Sequence, residues 1–238
     1  MHVSRALLAI ASVLFGLAVP AVAMSIENPP GFEIHRGVNL SHWLSQCPPG
    51  LDRNAYLTAD DIAFIHRIGY DHVRLPIDEV EMWTADGKRI ASAFQHLTNA
   101  LDWCRRNDLR VIVDLHTVRS HDFNAEDGKN TLWTHPAAQA KFLKLWEDLS
   151  SVLKPYPDAW VAYEIMNEPV ADNPEDWNKL VARAVADIRS REPNRVLVIG
   201  SNRWQGAATF PQLKVPAGDP NIILSVHDYE PFAFTHHT

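Results

Sequence analysis

Short apolar runs alternate with longer amphipathic stretches along most of this chain. Runs such as Val111-Ile112-Val113 and Val196-Leu197-Val198-Ile199 read as buried strands. Strands are predicted near 33–39, 72–76, 110–115, 160–166, 195–200 and 222–228. Helices fall between them. The first starts at Thr58, a capping residue followed by Asp60 and Asp61, whose charges suit the positive end of a helix. The second covers Ala91 to Asn107, the third Pro136 to Leu153, and the fourth Pro174 to Arg191, before Pro193. Strand–helix alternation predicts a parallel sheet in one α/β domain. The pattern contains no linker, repeat or low-complexity tract, and the length suits a single domain.

Polar side chains recur where the apolar runs stop. The run Tyr163-Glu164-Ile165-Met166 ends in Asn167-Glu168-Pro169. That sets an amide beside a carboxyl group at the carboxyl end of a strand, the edge where α/β folds build their sites. Arg74 lies in His72-Val73-Arg74-Leu75-Pro76, and His116 ends the run that starts at Val111. His227 and Tyr229 follow Ile222 to Val226, and Asn39 ends Arg36-Gly37-Val38-Asn39. Any one of these reads as an ordinary rim residue. Five such strand ends together point instead to general acid/base chemistry by a carboxyl group, with neighbours that orient a substrate.

The ordered set Arg36-Gly37-Val38-Asn39, Arg74-Leu75-Pro76, Asp114-Leu115-His116, Asn167-Glu168-Pro169 and His227-Asp228-Tyr229 resembles glycoside hydrolase family 5. The resemblance runs from about Phe32 to Thr235. It implies a (β/α)8 TIM barrel and a retaining mechanism with two glutamates. It implies Glu168 as acid/base and Asn167 on the sugar 2-hydroxyl. Arg74 and Tyr229 would hold the nucleophile, His116 and His227 would line the site, and Asn39 would contact substrate. Six predicted strands are fewer than the eight of a closed barrel. The expected fold is therefore an incomplete barrel with about six of its eight units. The family's second glutamate ends strand seven, and no such strand is read before Thr238. Glu164, Asp228 and Glu230 are the other carboxylates considered for that role. Strand alternation turns Asp228 and Glu230 away from His227 and Tyr229, and Glu164 lies lower on its strand among packed residues. The chain as written is expected to be inactive.

Composition adds the setting. Arg5, the apolar stretch Ala6 to Val19 and Pro20-Ala21-Val22-Ala23 read as a secretory signal cut after Ala23. A partial hydrolase domain over 24–238 and a secreted or periplasmic location are expected. Loss of Arg5 takes the net charge from −7 to −8. No basic cluster suits nucleic acid, and no other long apolar run suits a membrane. Cys47 and Cys104 are free to pair outside the cytoplasm, without a pairing being legible. The twelve His residues show no close ligand spacing, so neither metal nor cofactor is expected, and His236-His237 reads as a solvated end. Metal-dependent barrel hydrolases want a His-X-His pair at the first strand end, where this chain has Gly37-Val38-Asn39.

Tryptophans suggest the substrate. Trp43, Trp83, Trp133 and Trp204 follow strands, whereas Trp103, Trp146 and Trp177 fall in helical patterns and read as core. A flat aromatic face suits the axial C–H face of a β-linked sugar. Trp43 and above all Trp204 are read as substrate-binding, with a β-1,4-glucan favoured and mannan, xyloglucan and β-1,3-glucan open. A carbohydrate binder without turnover is the alternative.

Overall fold

The computed structural model describes residues 31–125 and 130–235. The expected signal segment and His236-His237 lie outside the described residues. Six strands form one sheet: β1 Gly37–Asn39, β2 His72–Asp78, β3 Arg110–Thr117, β4 Val161–Glu164, β5 Leu197–Gly200 and β6 Ile222–Ser225. They are all parallel and stand in chain order, β1 to β6. The sheet curls as a half-barrel, with β1 and β6 at its two edges. Among the described residues seven α-helices accompany it: α1 Arg53–Tyr56, α2 Ala59–Arg67, α3 Glu79–Met82, α4 Ala91–Arg106, α5 Pro136–Leu153, α6 Pro174–Arg191 and α7 Phe232–Thr235.

Local chemistry sets the helix ends. Thr58 forms a capping box with Asp61, each side chain satisfying the other's backbone N–H. Pro136 and Pro174 open α5 and α6, where a missing N–H costs nothing. Asn173 caps α6 through the Glu175 amide, and Arg189 and Arg191 sit at its negative end. On α6 the residues Trp177, Leu180, Val181, Ala184, Val185 and Ile188 are buried, the stripe a helix presents to a sheet.

Two apolar clusters follow from the alternation of side chains along each strand. The large one joins the outer strand faces to the helices. The small one, Phe32, Ile112, Ala162, Val196 and Val198, fills the hollow of the curl. Residues of the same parity further along β2, β3 and β4 therefore face the same hollow: Arg74, Asp114, His116 and Glu164. Just before β5, Arg195 is 1% exposed between the sheet and the end of α6, where it bonds Glu192 and the Val161 and Tyr156 carbonyls and lies over the Tyr163 ring. Cys47 and Cys104 are both free, and burial pushes the Cys104 thiol up to about 12. No helix among the described residues is long and apolar enough to cross a membrane.

Candidate active site

The carboxyl end of the sheet gathers the polar strand ends around one buried cation. Arg74 reaches inward from β2 and its Nε lies 2.6 Å from Glu164 Oε2 on β4. Its Nη2 lies 2.8 Å from Asp114 on β3 and 2.9 Å from Asn167 Oδ1, while Nη1 donates to Asn39 on β1 at 3.3 Å. One guanidinium thus ties four consecutive strands together, a role its planar fork performs and a lysine could not. Burial pushes Glu164 up, but the adjacent Arg74 outweighs it and leaves Glu164 below the ordinary glutamate range. Asp114 moves the other way, because its complete burial wins over Arg74 and His116. Asp114 also accepts from His116 Nδ1 at 2.7 Å, which fixes that ring.

Glu168 stands at the mouth of this network. Its backbone has φ of 44°, a left-handed conformation that a glutamate adopts at a cost, forced where β4 turns out before Pro169. The carboxyl group is 2.6 Å from His227 Nδ1. The His227 ring packs edge-on against Tyr229, with centroids 6.3 Å apart. Burial raises the Tyr229 phenol, and the Glu168 carboxylate raises it further. His227 and Tyr229 thus share one side with Glu168. Asp228 and Glu230 are exposed and accept from the backbone of their own turn, from Glu230 N at 3.0 Å and Phe232 N at 3.3 Å. Asn167 Nδ2 has no acceptor among the described residues, although the side chain is buried.

The aromatic expectation divides. Trp204 is 50% exposed beside the site, with its Nε1 on the Phe123 carbonyl at 3.0 Å. Trp43 is corrected: it is fully buried, donates to the Arg53 carbonyl at 2.9 Å and packs on His96. The β1 loop folds back over α1 and takes its indole into the core, so no face is left for a sugar. Trp83 and Trp133 are likewise buried. Arg74, expected to hold the nucleophile, is paired with Glu164 and Asp114 among the described residues.

Three participants were not legible in the sequence as such. Gln205 is fully buried below Glu168, with its Nε2 3.4 Å from Glu164 Oε1. Asp114 was part of a motif without a role. His121 is buried beside the Glu168 backbone and stacks edge-on against Trp133 at 5.0 Å; burial lowers it to about 4. Parity along β3 was a signal for Asp114; no local pattern marks Gln205 or His121.

A half-barrel of parallel strands carries a carboxyl group, an amide, an arginine and two histidines at its carboxyl edge, the edge where barrel enzymes build their sites. Residues 28–238 match the family model described as cellulase, glycosyl hydrolase family 5, and the chain belongs to that family. It is 30% identical over 206 residues to Cellodextrinase A of Ruminococcus flavefaciens, covering 85% of this chain and 60% of that protein. It is 31% identical over 207 residues to Endoglucanase C of Acetivibrio thermocellus, covering 84% and 59%. Among solved structures, Thermotoga maritima Cel5A in complex with cellobiose superposes with a TM-score of 0.71 at 28% identity, covering 85% of this chain and 67% of that one. The chain spans about three fifths of the length of these curated relatives.

Proposed function

We propose that this chain carries the acid/base half of a retaining glycosidase site for a β-linked glucan, with Glu168 as the acid/base. The observation that carries the reading is the Glu168–His227 contact of 2.6 Å at the strand edge, with Asn167 Nδ2 beside it lacking an acceptor among the described residues. Glu168 protonates the departing glycosidic oxygen and then takes a proton from water. Asn167 offers its free N–H to the sugar 2-hydroxyl. Arg74 fixes Asn167 through its carbonyl oxygen, and His116 and His227 line the cleft. Trp204 offers an exposed indole for a sugar face. The printed names of the relatives, a cellodextrinase and an endoglucanase, favour a β-1,4-glucan.

A retaining mechanism also needs a nucleophile about 5–5.5 Å from the acid/base. The described carboxylates near Glu168 are otherwise committed: Glu164 and Asp114 to Arg74, Asp228 and Glu230 to their own turn. The chain by itself therefore binds glucan without turning it over. Two measurements test this. Incubation with soluble β-glucan should release no reducing sugar above blank, while cellohexaose still binds. Grafted to the part of Endoglucanase C that it does not match, the chain should gain turnover. In that chimera Glu168→Gln should lower hydrolysis of natural glycosides about 10²–10⁴-fold. An aryl glycoside with a good leaving group should lose less in the first step. Equal losses on both substrates would remove Glu168 from the acid/base role, and turnover by the ungrafted chain would show that one of the committed carboxylates attacks.

A further inference from the structure

We infer that Gln205 is a positioning residue of this site, seated by a left-handed turn so that it holds His227 against Glu168. The inference rests on the reading of Glu168 as acid/base for its meaning, but its geometry stands apart. Arg203, Trp204 and Gln205 have φ of 56°, 59° and 56°, three successive residues in a region that L side chains rarely occupy. None of them is glycine. Such a run persists only where its surroundings over-determine it, and it gathers at functional sites.

The surroundings can be named. The turn drives Gln205 inward to full burial and swings Trp204 outward over the cleft. Inside, Gln205 Nε2 lies 3.4 Å from Glu164 Oε1 and 3.5 Å from the Met166 carbonyl. These are two points on the strand that carries Glu168. The Gln205 side chain rests on Gly200: a Cβ built there would come within 2.4 Å of Gln205 Cγ. Glycine at the end of β5 is therefore the floor of the Gln205 seat. The Gln205 carbonyl then accepts from the His227 amide at 3.1 Å. His227 sits beyond the end of β6 and depends on this bond for its height. From that height its Nδ1 meets Glu168 at 2.6 Å. Outside, Trp204 Nε1 reaches the Phe123 carbonyl, and the Phe123 ring stacks edge-on against His116 at 5.3 Å. One turn thus sets both the acid/base partner and the exposed indole.

The His227–Glu168 bond is readable without turnover. Two-bond 15N–1H spectra of the imidazole distinguish the Nδ1–H form, which donates to Glu168, from the Nε2–H form that a free imidazole prefers. The native chain should show His227 as Nδ1–H. Gln205→Ala, which empties the seat, and Gly200→Ala, which blocks it from below, should both lose that signature. Gln205→Met, which refills the seat without the amide, should restore most of it. Leu149→Ala in α5, remote from the site, is a control for lost stability and should leave the signature unchanged. Should Gly200→Ala not fold, Gln205→Ala against Gln205→Met decides alone. The inference is overturned if His227 keeps its Nδ1–H form in Gln205→Ala, or if Leu149→Ala loses it equally. Failure of cellohexaose to bind the native chain would defeat the functional reading and leave the positioning result standing.

Discussion

Replacing Arg74 by Met tests whether one guanidinium holds the strand ends together. Met matches much of the arginine stem and removes the charge. Two carboxylates, Glu164 and Asp114, are left buried without their cation, at 1% and 0% exposure. Asn167 loses a donor at 2.9 Å. Removing one partner from a buried ion pair costs about 3–5 kcal/mol. The penalty has a ceiling, because a stranded carboxylate can take up a proton. At pH 7 that uptake costs about 4 kcal/mol for a group of ordinary glutamate pKa. A deficit of about 4 kcal/mol at pH 7 is therefore expected, against a domain margin of about 5–15 kcal/mol. The sign with pH follows. In the native chain Glu164 has a lowered value, so its contribution is present above the unfolded glutamate range and is lost as pH falls through the folded value. In the variant the stranded acids carry protons already at higher pH. The deficit between the two proteins should therefore shrink on acidification, by about 1.4 kcal/mol per pH unit for each carboxyl that changes state. Urea denaturation at pH 7, 6 and 5 measures it. Adding Glu164→Gln to the variant should recover stability at pH 7 and flatten the pH dependence. A deficit below about 1 kcal/mol, or one that is constant from pH 7 to pH 5, would refute the argument.

His121 is held neutral by burial at about 4 against an ordinary 6.5, so the native state should lose stability as pH falls from about 6.5 toward 4, by up to about 3 kcal/mol; His121→Gln should remove that part of the slope in a urea series. Arg195→Leu, between the sheet and the end of α6, should cost about 3–5 kcal/mol by leaving Glu192 buried without its cation, while cellohexaose affinity of the folded fraction stays within a factor of two, roughly the scatter expected of a site not touched. Expressed in a host able to export it, the protein should be recovered outside the cytoplasm with an N-terminus near Met24; N-terminal sequencing of an uncleaved cytoplasmic precursor would contradict the signal reading.

The order of elements was legible because each is fixed by local physics. Pro136 and Pro174 suit the first turn of a helix, Thr58 with Asp61 suits a cap, and continuous Val-Ile runs bury as strands; α5 and α6 fall on the residues the pattern predicts. Strand parity likewise anticipated that His227 and Tyr229 share a side while Asp228 and Glu230 turn away. The tertiary structure alone decided what those side chains meet. Trp43 and Trp204 both follow a strand in the sequence and both are read there as substrate-binding, with Trp204 favoured; the structure folds Trp43 into the core with its loop and leaves Trp204 half-exposed at a left-handed turn. Left-handed residues occur in both loops, and what separates the two rings is the long-range partner each meets: the Arg53 carbonyl for Trp43 and the Phe123 carbonyl for Trp204. Arg74 was marked as a site residue, but its partners stand 40 and 90 positions away in the chain (Asp114 and Glu164) and meet it only because parallel strands in register place the same parity in one hollow. Gln205 had no signal at all: its role comes from the space over Gly200, and space is a property of packed strands rather than of any stretch of sequence.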